Sequence, residues 1–329
     1  MISAVRKSRL FEEHQISTEG RDALYAKLML PKPPEDPKRL VFIAPLVGAS
    51  AAQALVLFRS LTRRGSILMS FAYRGHTGSS GTFELDKTIV DVRHALAWAC
   101  GYTARRGLPL HGFATCFGAI PLVAQFARGA RGCPLWSFST ISGLFRSDQI
   151  LRFETFVPVF SRYLGRRLDE KAMLDGIAEQ ALDLSGDAFR SALWEYLKGL
   201  FPELRVGRDY FEELQYDRAD VPRTLLQLSR ARYFDGLAFP SDIPCRLFFG
   251  RNDNVLGLHT EAGRQAYRDH VLSLIPHAEF REMEFDHYGR GPDHEPVLQR
   301  LGDLFEECER RAVPMKCPHQ NRSVQGVCR

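Results

Sequence analysis

The segment Leu110-His111-Gly112-Phe113-Ala114-Thr115-Cys116-Phe117-Gly118-Ala119 decides how this chain is read. Leu110–Ala114 is apolar enough for a strand covered on both faces. A sharp turn between the small residues Ala114 and Gly118 follows, and then an apolar helix over residues 117–128. Strand, tight turn and helix is the layout that presents a serine nucleophile at the centre of G-x-S-x-G. Here the centre is a thiol, Cys116, and the first small residue is alanine.

Strands and helices alternate outward from this segment. Phe11–Ile16 and Ala23–Leu30 read as an opening hairpin around the turn Ser17-Thr18-Glu19-Gly20. Leu40–Ala44 and Ile67–Ala72 are short apolar runs separated by a helix over 51–64, which Gly65 closes. Thr88–Cys100 has the 3.6-residue period of a helix, and Leu135–Thr140 is the next strand. The pattern stops near Gly143 and resumes near Ile243 with strand Cys245–Phe249, helix 258–271, strand Phe280–Phe285 and helix 296–310. Repeating βα units imply an α/β fold with a mostly parallel, doubly wound sheet. Residues 1–142 and 243–310 then form the core. Residues 143–242, rich in amphipathic pieces and aromatics, form an inserted helical cap, and 311–329 a flexible basic tail.

Composition narrows the class. The 329 residues carry 44 basic and 39 acidic side chains, a mild net +5 with no basic run interleaved with aromatics, so no nucleic-acid face is expected. No apolar stretch is long enough to span a bilayer, and no apolar h-region follows Met1–Ser8. Seven scattered cysteines read as reduced thiols rather than a disulfide framework, so the expected location is cytoplasmic. Cys308, Cys317, His319 and Cys328 match no common metal spacing, and neither metal nor cofactor is expected.

Covalent acyl chemistry needs a nucleophile, a base within its reach and a group that orients the base. In a parallel sheet these groups belong just beyond the C-terminal ends of strands. Cys116 has such a place, before a helix whose positive end favours thiolate. Asp253 follows Cys245–Phe249 in Gly250-Arg251-Asn252-Asp253, with Asp148 as the fallback acid. His287 follows Phe280–Phe285, and His294 competes with it from the start of the last helix. Backbone amides of Phe117, and of Val47 or Leu46 after Leu40–Ala44, are the candidate oxyanion donors.

Together these parts resemble the α/β-hydrolase superfamily over residues 23–142 and 236–306, with the order nucleophile, acid, histidine. Ile67–Gly81 is similar to the family's strand and D-x-R-G-x-G-x-S, with Ala72 at the acid's place and one extra residue between Gly75 and Gly78. Pro45-Leu46 replaces the usual His-Gly. A cysteine centre resembles polyhydroxyalkanoate synthases, dienelactone hydrolases, aminoacyl shuttle transferases and some nonribosomal-pathway thioesterases. Chain length and cap resemble the bioluminescence-type acyl-protein thioesterases, which use serine.

Thiolate leaves more readily than alkoxide, so a thiol attacking an oxygen ester tends to be expelled again. With a thioester the entering and leaving groups are matched, and the acyl-cysteine keeps its transfer potential. The leading expectation is therefore an acyltransferase working through acyl-Cys116, with coenzyme A or an acyl or peptidyl carrier protein as the thioester partner. A thioesterase or esterase using the same triad is the alternative, and a non-catalytic ligand-binding protein is the third reading.

Overall fold

A computed structural model describes residues 6–7, 10–46, 50–127, 134–145, 239–253, 256–287, 289 and 291–311. Almost all of the expected cap (146–238) and the tail beyond Arg311 lie outside the described residues, as do Val47 and Asp148.

The described strands are β1 (Arg6–Lys7), β2 (Phe11–Ser17), β3 (Ala23–Met29), β4 (Arg39–Ala44), β5 (Ser66–Phe71), β6 (Leu110–Cys116), β7 (Ser137–Gly143), β8 (Cys245–Gly250) and β9 (Glu279–Met283). They form one sheet in the order β1-β2-β3-β5-β4-β6-β7-β8-β9. From β5 to β9 every pairing is parallel, whereas β1, β2 and β3 add an antiparallel edge. Burial follows from this arrangement. β4, β5 and β7 are buried at every residue, as strands covered on both faces must be. β2 alternates for most of its length, since only one of its faces meets the core.

The helices are α1 (Ala51–Leu57), α2 (Lys87–Ala104), α3 (Ala119–Ala127), α4 (Glu261–Leu274) and α5 (His294–Arg311). Ser50 and Gln53 close a reciprocal capping box on α1, and the Thr260 hydroxyl caps α4 through the Gly263 amide. The helix expected over 51–64 is split. It ends at Leu57 and continues as a 3-10 turn, Arg59–Arg64, which Gly65 closes in the left-handed region. Two apolar layers result. One packs α2, α3 and α4 on the sheet through Val92, Leu96, Ile120, Leu122, Tyr267 and Val271. The other packs α1, the 3-10 turn and α5 through Leu55, Phe58, Leu61, Leu298 and Phe305.

Order reverses at β4: β5 lies on one side of it and β6 on the other. The loops after β4 and β6 thus flank the crevice where open α/β sheets hold ligands. At the opposite end of the sheet the buried Arg39 guanidinium ties β4 to α5. It grips Glu309 through Nε and through Nη2 at 2.9 Å, while Nη1 donates to the Arg64 carbonyl at 3.0 Å. The fully buried His111 ring spans the same cluster, with Nε2 3.2 Å from Glu309 and Nδ1 2.8 Å from the Ser137 hydroxyl.

One expectation about the cysteines fails. Cys116, Cys245 and Cys308 are free thiols, but Cys100, on α2, is disulfide-bonded. Number and spacing along a chain do not reveal which sulfurs meet in space. No helix among the described residues is long and apolar enough to cross a membrane.

Candidate active site

Cys116 ends β6 with φ +47°, one of two described non-glycine residues in the left-handed region. A side chain there costs about 1–3 kcal/mol and persists only where surrounding structure enforces it. Several contacts enforce it. The register between β6 and β7 shifts at Thr115/Cys116, and the Leu144 amide donates to the Cys116 carbonyl at 2.8 Å. The Gly118 amide closes the turn onto Thr115 at 2.9 Å. α3 begins at Ala119, two residues later than the sequence implies, because the turn uses up Phe117 and Gly118. Pro121 is tolerated because it falls in the first turn, where no intrahelical amide bond is lost.

Gly118 is required by close approach. A Cβ on it would stand 2.2 Å from the Ala44 carbonyl oxygen and 2.8 Å from that of Pro45. The elbow is therefore pressed against the loop after β4. The Tyr73 hydroxyl, fully buried just beyond β5, donates to the same Pro45 carbonyl at 3.0 Å. Leu46 follows, half-buried.

Asp253 lies three residues beyond β8, completely buried. Its carboxylate accepts the Leu256 amide at 2.9 Å and meets His287 Nδ1 at 3.0 and 3.1 Å. The two loops that bring them together are tied by backbone bonds, Arg251 to Met283 at 2.9 Å and Asn252 to Phe285 at 3.3 Å. Gly250 permits this contact, since a Cβ there would lie 2.0 Å from the Phe285 carbonyl oxygen.

With Nδ1 on Asp253, the other ring nitrogen is the one left for sulfur, and the Cys116 sulfur lies near enough to the His287 ring to act on its charge. Burial alone would push the imidazole down. The Asp253 carboxylate, the Cys116 sulfur and the hydrogen bonds to both hold it well above the ordinary histidine range. A protonated imidazole beside sulfur is the partner a thiolate needs. His294 is occupied elsewhere, its Nδ1 2.7 Å from the Gly289 carbonyl.

The structure thus brings Cys116, Asp253 and His287 together, with the Phe117 amide next along the chain from the sulfur. Leu46 stands on the adjoining loop, and Val47 lies outside the described residues. Sequence reading missed Tyr73 and Tyr267. The Tyr267 hydroxyl, on α4, donates to the Gly143 carbonyl at 2.7 Å beside the end of β7. Neither belongs to a motif. The only signal for Tyr73 was a polar-tipped aromatic placed directly after a buried strand. In the Ile67–Gly81 stretch, Arg74 pairs with buried Asp91 at 2.8 Å, and the Ser79 hydroxyl bridges the Tyr25 amide and the Ala72 carbonyl. These contacts shape the β5 loop rather than reach the sulfur.

No protein-family model matches the chain, and neither does the sequence of any curated protein. Solved structures do match. A soluble variant of monoglyceride lipase from Saccharomyces cerevisiae, in complex with a substrate analog, superposes with TM-score 0.60 at 12% identity, covering 93% of this chain and 98% of its own. A highly thermostable carboxyl esterase from Bacillus coagulans gives 0.57 at 13%, covering 91% and 99%. The Pyrococcus furiosus esterase Pf2001 gives 0.54 at 13%, covering 90% of each chain. At such low identity the shared property is the architecture, and the chain has the α/β-hydrolase fold.

Proposed function

We propose that the protein is an enzyme of acyl ester or acyl thioester chemistry that works through an acyl-Cys116 intermediate, with hydrolysis as its basic reaction. The observation that carries this is Cys116, held at φ +47° on a turn between β6 and α3, beside a histidine that Asp253 orients. Lipases and esterases of the same fold support hydrolysis.

The Cys116 thiolate attacks the acyl carbonyl carbon, and the carbonyl electron pair moves onto oxygen. Amides of Phe117 and of Leu46 or Val47 hold that oxyanion. The intermediate collapses as the bond to the leaving thiol or alcohol breaks, and His287 delivers the proton. Water then enters, His287 takes its proton, the C–S bond breaks, and free acid leaves with Cys116 restored. Asp253 keeps the ring oriented and stabilises its charged form.

A second reading is transfer of the acyl group to an amine, thiol or alcohol. The sulfur nucleophile favours it, because the acyl thioester retains its transfer potential. Coenzyme A or carrier-protein thioesters are then the donors. The helical cap over residues 143–242 belongs to this proposal.

Intact-protein mass spectrometry with a panel of acyl thioesters and esters tests it. One acyl group should add to the wild-type protein and none to Cys116→Ala. Acid release unaffected by acceptors supports hydrolysis, and an acylated acceptor supports transfer. Ligand binding with no adduct and no released acid would leave a binding protein instead.

A further inference from the structure

Pro45 and Tyr73 meet where the loop after β4 leaves the sheet. The Pro45 ring holds φ near −65°. The remaining freedom at this residue is ψ, which sets the direction of its carbonyl. That carbonyl accepts the Tyr73 hydroxyl at 3.0 Å, within a fully buried contact, and its oxygen also lies 2.8 Å from where a Gly118 Cβ would stand. C=O and N–H of one trans peptide point in opposite directions, so fixing the carbonyl fixes the Leu46 amide.

We infer that Tyr73 is a positioning residue for the oxyanion hole, setting the backbone of the loop that supplies its second amide donor. This rests on the acyl-Cys116 reading of the same site. Tyr73 is well suited to the task. Its ring is wedged among Phe71, His76, Phe83 and Phe117, with centroids 5.0, 6.0, 6.4 and 6.3 Å away. The ring therefore cannot swing, and it touches the residue that supplies the first donor. Burial, with Asp91 and Cys116 nearby, pushes the phenol well above its ordinary range, so it stays a donor throughout the working pH. Without the hydroxyl, ψ of Pro45 is set only by packing. A donor displaced from the oxyanion loses most of its effect, because such sites act through fixed geometry.

The test compares two reactions of one sulfur. Acylation by an activated thioester develops an oxyanion. Alkylation by iodoacetamide, a displacement at carbon, needs the thiolate but no oxyanion hole. In Tyr73→Phe the single-turnover acylation rate should fall about 10-fold or more, with alkylation of Cys116 unchanged. Affinity for a trifluoromethyl ketone, which forms a tetrahedral adduct on sulfur, should fall in parallel with acylation. Pro45→Ala, which frees φ on the other side of the same carbonyl, should show the same selective loss and serves if Tyr73→Phe does not fold. An unchanged acylation rate, or equal loss of acylation and alkylation, overturns the inference alone. Failure of the wild-type protein to acylate at all removes the parent reading, and this one with it.

Discussion

Gly118 and Ala44 are in direct backbone contact: the Gly118 Cα packs against the Ala44 carbonyl so closely that a Cβ would lie 2.2 Å from the oxygen. The contact joins the turn that carries the thiol to the strand end that leads into the loop after β4. Gly118→Ala must therefore push backbone from backbone, with no flexible side chain to yield. Overpacking of this kind costs about 1–3 kcal/mol and sometimes more. Urea unfolding should show that loss, and Cys116 acylation should fall further than stability alone explains. A variant as stable and as readily acylated as wild type would contradict the contact.

The strain at Cys116 makes a second prediction. In a strand, glycine is ordinarily less stable than alanine. At φ +47° the order should reverse, with Cys116→Gly more stable than Cys116→Ala by about 1 kcal/mol. Thermal melts of the two variants decide it, since neither retains sulfur and they differ only in the Cβ.

The His287–Asp253 pair should titrate unusually. The folded imidazole has its pKa raised, so the pair's stabilisation is fully present below the unfolded histidine value near 6.5 and is lost as pH rises through the elevated folded value. NMR of the His287 ring should find it protonated well above pH 6.5. In Asp253→Asn burial acts without its main opponent, so the ring should titrate far lower. Acylation at neutral pH should drop, by up to about 10⁴-fold.

His76 should behave in the opposite sense. Burial drives it down to about 4, with a weaker opposing pull from the Arg74 carbonyl. The unfolded chain then binds the extra proton between about pH 6.5 and 4, and stability is lost as pH falls through that window. The change is on the order of 3 kcal/mol, and it should vanish from the pH–stability curve of His76→Phe.

Glu309 anchors α5 to the sheet. Half-burial opposes its ionisation, but hydrogen bonds from His111 and Arg39 and their charges hold it down at about 2. Its stabilisation is complete above the ordinary carboxylate range and fades as pH falls toward 2. Glu309→Gln leaves the buried Arg39 guanidinium without a countercharge, and losses of about 3–5 kcal/mol are expected. Denaturant titration at neutral pH would show it, and a loss under 1 kcal/mol would refute it.

Much of this molecule is visible before folding. The runs Leu40–Ala44, Ile67–Ala72, Leu110–Ala114 and Cys245–Phe249, apolar but for Ser70, His111 and Arg246, mark covered strands, being too short for helices. The places of Asp253 and His287 are legible because each follows an apolar strand of a parallel sheet, and the ends of such strands lie side by side. The Phe58 break was hidden, since its apolar period continues from α1 into the 3-10 turn. The Cys100 disulfide was hidden too, because pairing depends on distance in space.

Local pattern and turn chemistry are properties of neighbours along the chain, so the sequence alone determined the α/β alternation, the cysteine-centred turn and the places of Asp253 and His287 after later strands. The tertiary structure decided what depends on distances between remote segments. It brought His287 onto Asp253 and Cys116, left His294 on Gly289, and set Tyr73 against Pro45. These contacts join residues up to 171 positions apart along the chain, Cys116 to His287, and only the packing of β4 to β9 side by side makes them neighbours.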